Sequence, residues 1–308
     1  MTNNKFLGHN GFLWFTGVVE DRNDPNKVGR VRVRALGHHT SNTVTLPTAD
    51  LPWAHTMLPA TSAGISGLGM SATGLVEGSW VLGYFRDGNE RQEMIVLGTL
   101  PGYPAELSQA GGFYDPNGIY PKYKNEPDVN RLAVNDENKP HLANTLRIAT
   151  RITGIATADF NTTTAADGST ISASDGDTFD QPSVPYNASY PYNHVYESES
   201  GHIMEFDDTT GAKRIHLRHT SGTSIEMTDN GDTIEITKNN RYILVTADNK
   251  VYIKGSKDVV IDGDYDLKVN GNYNIAVAGN KVETISGSKT STTSGAVVHI
   301  GSTIDLNP

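Results

Sequence analysis

Apolar and polar residues alternate along most of this chain, first in short broken runs and later in one long regular series. In "FLWFTGVVEDRNDPNKVGRVRVRALG" (12–37) an apolar strand leads into a polar turn at Asp21–Lys27, and strict alternation follows. Val31, Val33 and Ala35 fall on one phase and Arg30, Arg32 and Arg34 on the other, which predicts one buried and one solvated face. "GSWVLGYFRDGNERQEMIVLGTL" (78–100) repeats the plan around a turn at Asp87-Gly88-Asn89. Strands this closely spaced predict a small closed barrel of the OB type, because closure removes exposed sheet edges.

Regularity fades between Pro101 and Pro191. "TADFNTTTAADGSTISASDGDTFDQPSVP" (157–185) is rich in Thr, Ser, Asp and Gly and has too little apolar surface for a core, so it reads as a linker or long loop. "NKPHLANTLRIATRITGI" (138–155) fits a short helix or a strand equally. From Tyr192 the alternation resumes, with turns about every eight residues through "GDTIEITKNNRYILVTADNKVYIKG" (231–255).

The pattern then locks. Glycines stand at Gly255, Gly263, Gly271, Gly279, Gly287 and Gly295, eight residues apart. The fourth position after glycine carries Val259, Leu267 and Ile275, and the sixth carries Ile261, Val269, Val277 and Ile285. These seven form the expected interior. Glycine is read as the recurrent bend where a side chain does not fit. A single ribbon of this kind cannot bury its own apolar face. Eight residues span about 26 Å of extended chain, too short for the coil of a three-sided solenoid. The same length suits one chain lending a segment to each turn of a three-chain helix. The expected object is therefore an intertwined homotrimer, with a plain antiparallel sheet or a single-chain solenoid as alternatives. After Gly279 the interior phase weakens to Glu283, Ser291 and Thr293. The end, "GAVVHIGSTIDLNP", closes on Ile304 and Leu306 as a tip.

Composition narrows the function classes. Of 308 residues, 31 are glycine, while only 36% are hydrophobic and 8% aromatic, which fits repetitive β structure better than a compact enzyme core. With no cysteine there is no disulfide, thiolate metal site or cysteine nucleophile. A formal charge of -10 argues against nucleic acid as a partner. The start of the chain lacks a secretory signal, and no apolar run is long enough to span a membrane.

Several segments together resemble a known family. "YPYNHVYESESGHIMEFDDTTGAKRIHLRHTSGTSIEM" (190–227) resembles the segment joining the OB region to the β-helix in the central spikes of contractile injection machines. The residues that carry this are Tyr190-Pro191-Tyr192-Asn193, Glu199-Ser200-Gly201-His202, Asp207-Asp208-Thr209 and Ser221-Gly222-Thr223. The stretches 15–37 and 51–88 are similar to the OB domain of the phage members, and 114–134 to the connector of phage baseplate hubs. The resemblance covers about two-thirds of the chain. It implies an all-β fold: an OB-fold domain over 1–103, a connector and loop over 104–189, and a C-terminal triple-stranded β-helix needle with its tip over 190–308.

The implied function is mechanical. A homotrimer made in the host cytoplasm is built into the virion's tail baseplate, and contraction drives it through the host outer membrane. The implied partners are a baseplate hub protein at the OB end and a PAAR-like cap at the tip. VgrG spikes of type VI secretion, or a tailocin spike, are the alternative. A peptidoglycan hydrolase or glycan-binding fibre is the rival from other classes. The best-known phage member carries a lysozyme between OB domain and needle, but here the intervening 104–185 is about half the length such a fold needs.

No candidate chemistry overrides this reading, and no cofactor, metal or catalytic residue is expected. Glu93, Asp115, Glu126 and Asp128 supply carboxylates for a glycosidase pair, yet nothing in the sequence sets one apart from another. "GISGLGMSATG" (64–74) departs from G-x-G-x-x-G because Ala72 stands at the last position, and it reads as a barrel loop used in subunit contact. His38, His39, His216 and His219 read as surface or strand-pairing residues. His299 falls four after Gly295, where three copies would meet on an axis, yet it is out of phase with Val298, Ile300, Ile304 and Leu306. Tyr265 and Tyr273, two after successive glycines, read as a stabilising ladder.

Overall fold

A computed structural model describes residues 11–104, 127–135 and 186–304. The segment 138–155, the loop 158–185, most of the connector 114–134, Asp115, Glu126 and Leu306 lie outside the described residues. The chain divides into two units, 1–256 and 257–308.

Within the first unit, five strands close a barrel: β1 (Leu13–Asp21), β2 (Val31–Ala35), β3 (Trp53–Thr56), β4 (Trp80–Phe85) and β5 (Met94–Thr99), in the order β1-β2-β3-β5-β4. All neighbours are antiparallel except β3 and β5, and β1 pairs with β4 to close the ring. This is the OB arrangement expected from the strand spacing. Phe15, Val19, Val31, Val33, Ala35, Ala54, Val81, Phe85, Met94 and Val96 fill it. Closure depends on a missing side chain at Gly83, where a Cβ would lie 2.2 Å from the Ile95 carbonyl and 2.5 Å from the Phe15 ring.

The arginine phase of β2 is not the solvated face that its alternation predicts. Arg34 is fully buried, its Nε and Nη2 donating to Glu20 at 2.5 and 2.9 Å. Its remaining donors reach the carbonyls of Thr40 and Leu46, and Thr48 Oγ1 donates to the same Glu20 carboxylate. Arg32 lies over the Trp53 ring and donates to the carbonyls of Thr48, Ala49 and Leu51. The segment 40–51 therefore folds across this face, and two arginines satisfy its backbone. Arg30 instead pairs with Asp24, whose carboxylate also accepts the Asn26, Val28 and Arg30 amides. The Arg30 guanidinium, aided by those amides, holds the Asp24 carboxyl well below the usual carboxylate range.

A second sheet in the same unit runs β6 (Asn193–Glu197), β7 (Ile203–Asp207), β8 (Arg214–Arg218), β9 (Ser224–Met227) and β10 (Thr233–Ile236) as an antiparallel meander. A single helical turn, α1 (Arg131–Val134), packs on it through Leu132, which meets Ile203, Tyr186 and Val195.

Beyond Ile236 the octad is visible as bends. They fall at 238–239, 246–247, 254–255, 262–263, 270–271, 278–279, 286–287 and 294–295. The repeat thus begins two octads ahead of Gly255, with Asn239 and Ala247 in the glycine position. Ile243, Val245, Val251 and Ile253 occupy the fourth and sixth places after these bends. No strand pairing forms within the chain between Thr237 and Ile304. A Cβ built at any of the six octad glycines meets nothing within 4 Å, so no contact inside one chain excludes a side chain there.

Replacing Arg34 by Met strands the Glu20 charge in the barrel wall. Removing one partner of a buried pair costs about 3–5 kcal/mol. Denaturant unfolding followed on the barrel tryptophans is expected to show a loss of that size, and a change below about 1 kcal/mol would contradict the assigned role.

Candidate functional interface

The sheet β6–β10 is built inside out. Strand alternation gives each strand two faces, but the face covered by the rest of the chain carries the charges. Asn193, Glu205, Asp207, Arg214, His216, Arg218, Ser224 and Glu226 are buried. Register sets these groups side by side, with Glu205 opposite His216, Asp207 opposite Arg214 and His216 opposite Glu226. Arg214 Nη1 donates to Glu226 at 3.0 Å, while Nη2 stands 2.5 Å from Glu205 Oε1 as a charge contact without hydrogen-bond alignment. His216 Nδ1 lies 3.2 Å from Glu205 Oε2, and Asn193 Nδ2 donates to Glu205 Oε1 at 2.7 Å.

The cover is held by the same groups. Asn193 Nδ2 also reaches the Leu132 carbonyl, Tyr186 Oη donates to that carbonyl at 2.8 Å, and the Arg214 guanidinium lies 4.8 Å from the Tyr186 ring centre. Burial by itself raises the Glu205 pKa. The His216 hydrogen bond, the Arg214 charge and the Asn193 hydrogen bond outweigh it, and the carboxyl titrates below its ordinary 4.5.

The opposite face is apolar and open. Tyr196, Met204, Leu217 and Ile225 form one cross-strand row, and Phe206, Ile215 and Met227 a second beside His194. These seven apolar side chains are 44–65% exposed. A contiguous apolar sheet face of this kind marks a surface that associates.

The residues singled out from sequence fall into place unevenly. Val259, Ile261, Leu267, Val269, Ile275, Val277 and Ile285 are 44–57% exposed in the single chain, and Ile304 is also exposed. His216, expected to face outward, is buried against Glu205, because the charged phase of β8 is the inner one. His219 stacks on His202 with ring centres 4.5 Å apart, and its Nδ1 accepts the Ser221 amide.

The remaining candidates sit on the barrel and its exit. His38 and His39 lie in the turn after β2, where His38 meets Phe85 edge-on and His39 Nδ1 accepts the Ala35 amide. In the loop 64–74, Ile65, Leu68 and Met70 are exposed around a tight turn in which the Leu68 amide donates to the Ile65 carbonyl. Glu93 pairs with Arg86, and Asp128 accepts the Gly102 amide. Among the described residues no three His, Asp or Glu side chains converge as metal ligands, and no helix is long and apolar enough to cross a membrane.

The inverted sheet is what sequence reasoning missed. The legible clue was that the polar phase of β7–β9 carries both signs of charge, Glu205, Asp207 and Glu226 against Arg214 and Arg218. Such a set can neutralise itself when buried.

A closed OB-type barrel, a sheet with an exposed apolar face and an octad ribbon with exposed apolar positions define an all-β protein with an OB-type N-terminal region. Comparison with known proteins specifies it further. The family model described as Gp5 N-terminal OB domain matches residues 36–183. That match begins after β2, although β1 and β2 complete the same barrel. Protein Gp5 of Vibrio phage KVP40 is 38% identical over 283 residues, 82% of this chain and 64% of that protein. The pre-baseplate central spike protein Gp5 of Enterobacteria phage T4 is 47% identical over 119 residues, 37% of this chain and 20% of that protein. The chain is therefore similar to a phage Gp5 over most of its length and to a phage central spike protein over about a third of it, and it spans less than two thirds of either relative.

Because the folded Glu205 ionises below its ordinary value, its stabilisation is complete above about pH 4.5 and is lost as pH falls through the folded value. The melting temperature of the wild type is expected to drop over that acid window. Glu205→Gln is expected to lower it at neutral pH, by the equivalent of about 3 kcal/mol, and to flatten the acid limb. Equal acid limbs in both proteins would exclude Glu205 as the origin.

Proposed function

We propose that this protein is the central spike of a contractile-tail baseplate and works mechanically, as a homotrimer, to pierce the host outer membrane. The observation that carries the reading is the 38% identity to a phage Gp5 across 82% of the chain, joined to the name of the second relative, a pre-baseplate central spike protein. The physical support is the unpaired apolar surface. Seven side chains on the outer face of β6–β9 and seven more at octad positions stand about half exposed in one chain. Closing a neighbour over each contributes about 1 kcal/mol, roughly half the value for full burial of a Leu or Ile.

The single chain also leaves the backbone of the octads without strand partners, which three wound chains supply to one another. In that setting the octad glycines have a physical reason, since the bends of neighbouring chains meet where one chain alone leaves open space. The acidic balance of the chain keeps such an assembly soluble before it is built in.

In this reading the domains are an OB barrel over 1–103, a connector over 104–189 and a needle over 190–308. The barrel meets a baseplate hub protein and the tip carries a PAAR-like cap. The needle core is the set Val259, Ile261, Leu267, Val269, Ile275, Val277 and Ile285, with Ile304 and Leu306 at the tip. The role requires no catalysis, cofactor or nucleic acid, and the protein resides in the tail baseplate of the virion.

Light scattering on the purified protein is expected to give three times the chain mass, and the trimer is expected to persist in unheated SDS. Leu217→Glu places a charge in the middle of the outer apolar face and is expected to yield monomers with an intact barrel. A monomeric wild type would overturn the proposal.

A further inference from the structure

Within one chain the barrel and the inverted sheet touch directly, and the contact is built around one guanidinium. Arg22 follows β1 on a braced turn, with Asp21 Oδ1 accepting the Asn23 amide and the Asp24 amide donating to the Arg22 carbonyl. Its Nε lies 3.2 Å from the carboxylate of Glu77, a nearly buried barrel residue. Its Nη1 and Nη2 then donate in parallel to Glu199 Oε2 and Oε1 at 2.7 and 2.9 Å. Glu199 belongs to the β6–β7 turn, which is fixed by the Gly201 amide on the Ser198 carbonyl and the His202 amide on Ser198 Oγ.

A second connection runs through the chain that leaves the barrel. Gly102 and Asp128 clasp each other, the Gly102 amide donating to Asp128 Oδ2 and the Asp128 amide to the Gly102 carbonyl. Asn130 caps α1 by accepting the Leu132 amide, and its Nδ2 donates to Glu197 Oε2 at 2.8 Å. Glu197 and Glu199 lie two residues apart, so the barrel reaches this end of the sheet by two routes.

We propose that Arg22 is a fastener that sets the angle between the OB barrel and the base of the needle. The proposal rests on the spike reading and adds how force passes from barrel to shaft. A single anchor leaves two bodies free to swing, whereas two anchors, one at Glu197 on the last residue of β6 and one at Glu199 in the turn after it, restrict that freedom. Glu77 orients the guanidinium beforehand, so its fork meets Glu199 with little further loss of side-chain freedom. A push delivered to the barrels then arrives at the sheet in one fixed orientation. Arg22 and Glu199 remain partly exposed, so the fastener is modest in strength and sensitive to salt.

Hydrogen exchange by mass spectrometry on the full chain tests this, in wild type, Arg22→Ala, Glu199→Ala and the double variant. The readout is the peptide 127–135, which contains neither substituted residue. Glu199→Ala is expected to speed exchange there about 2–5-fold, the range that exposed ion pairs deliver. The double variant is expected to be no faster than the faster single, and 0.5 M salt is expected to speed the wild type alone. Unchanged or additive rates in 127–135 would overturn the fastener, as would a change confined to 20–24 and 198–202. Should Arg22→Ala unfold the barrel by stranding Glu77, Glu199→Ala decides. The mass of each sample, taken in parallel, reports on the trimer separately, because a monomer with faster exchange would reject the spike reading and leave the fastener standing.

Discussion

The charge layer beneath β6–β9 is the constraint from which the orientation of that sheet follows. Glu205, Arg214, His216 and Glu226 pair with one another on the face packed against α1 and Tyr186. Once they occupy the inner face, strand alternation leaves Met204, Phe206, Ile215, Leu217, Ile225 and Met227 no place but the outer one. A register slip of one residue would bury the apolar set and expose the ion pairs, leaving Leu132 and Tyr186 facing the wrong partners. The polar layer thus acts as a selector of orientation, a role for which buried charge is better suited than for raw stability.

The barrel applies the same logic on a smaller scale. Arg34 and Glu20 are buried because the segment 40–51 lies over them and needs its carbonyls satisfied. In both places a charged phase that reads as surface is in fact covered by a loop or strap from elsewhere in the chain. Alternation reports that two faces differ. It does not report which one the rest of the molecule will occupy.

That limit separates what was legible in the sequence from what was not. The barrel could be read from strand spacing and turn residues, because hairpin geometry is local. The glycine octad could be read from its period, and the chain bends at each of those glycines. Its first two repeats were hidden by Asn239 and Ala247, which take the bend position without glycine. His216 and Arg34 were misplaced for want of long-range information, since their partners lie 11 and 14 residues away and their covers further still. The apolar outer face was equally invisible, as seven ordinary strand residues look the same whether they point toward a core or toward a neighbour.

The unbroken eight-residue spacing of bends from 238 to 295 has a consequence for how such a chain can change in length. Adding or removing eight residues restores every bend and every apolar position to its former phase. An odd change swaps the two faces of everything downstream, and an even change that is not a multiple of eight keeps the faces but displaces the bends. The octad segment is therefore a ruler with one graduation, and inheritance can lengthen or shorten it only in whole steps.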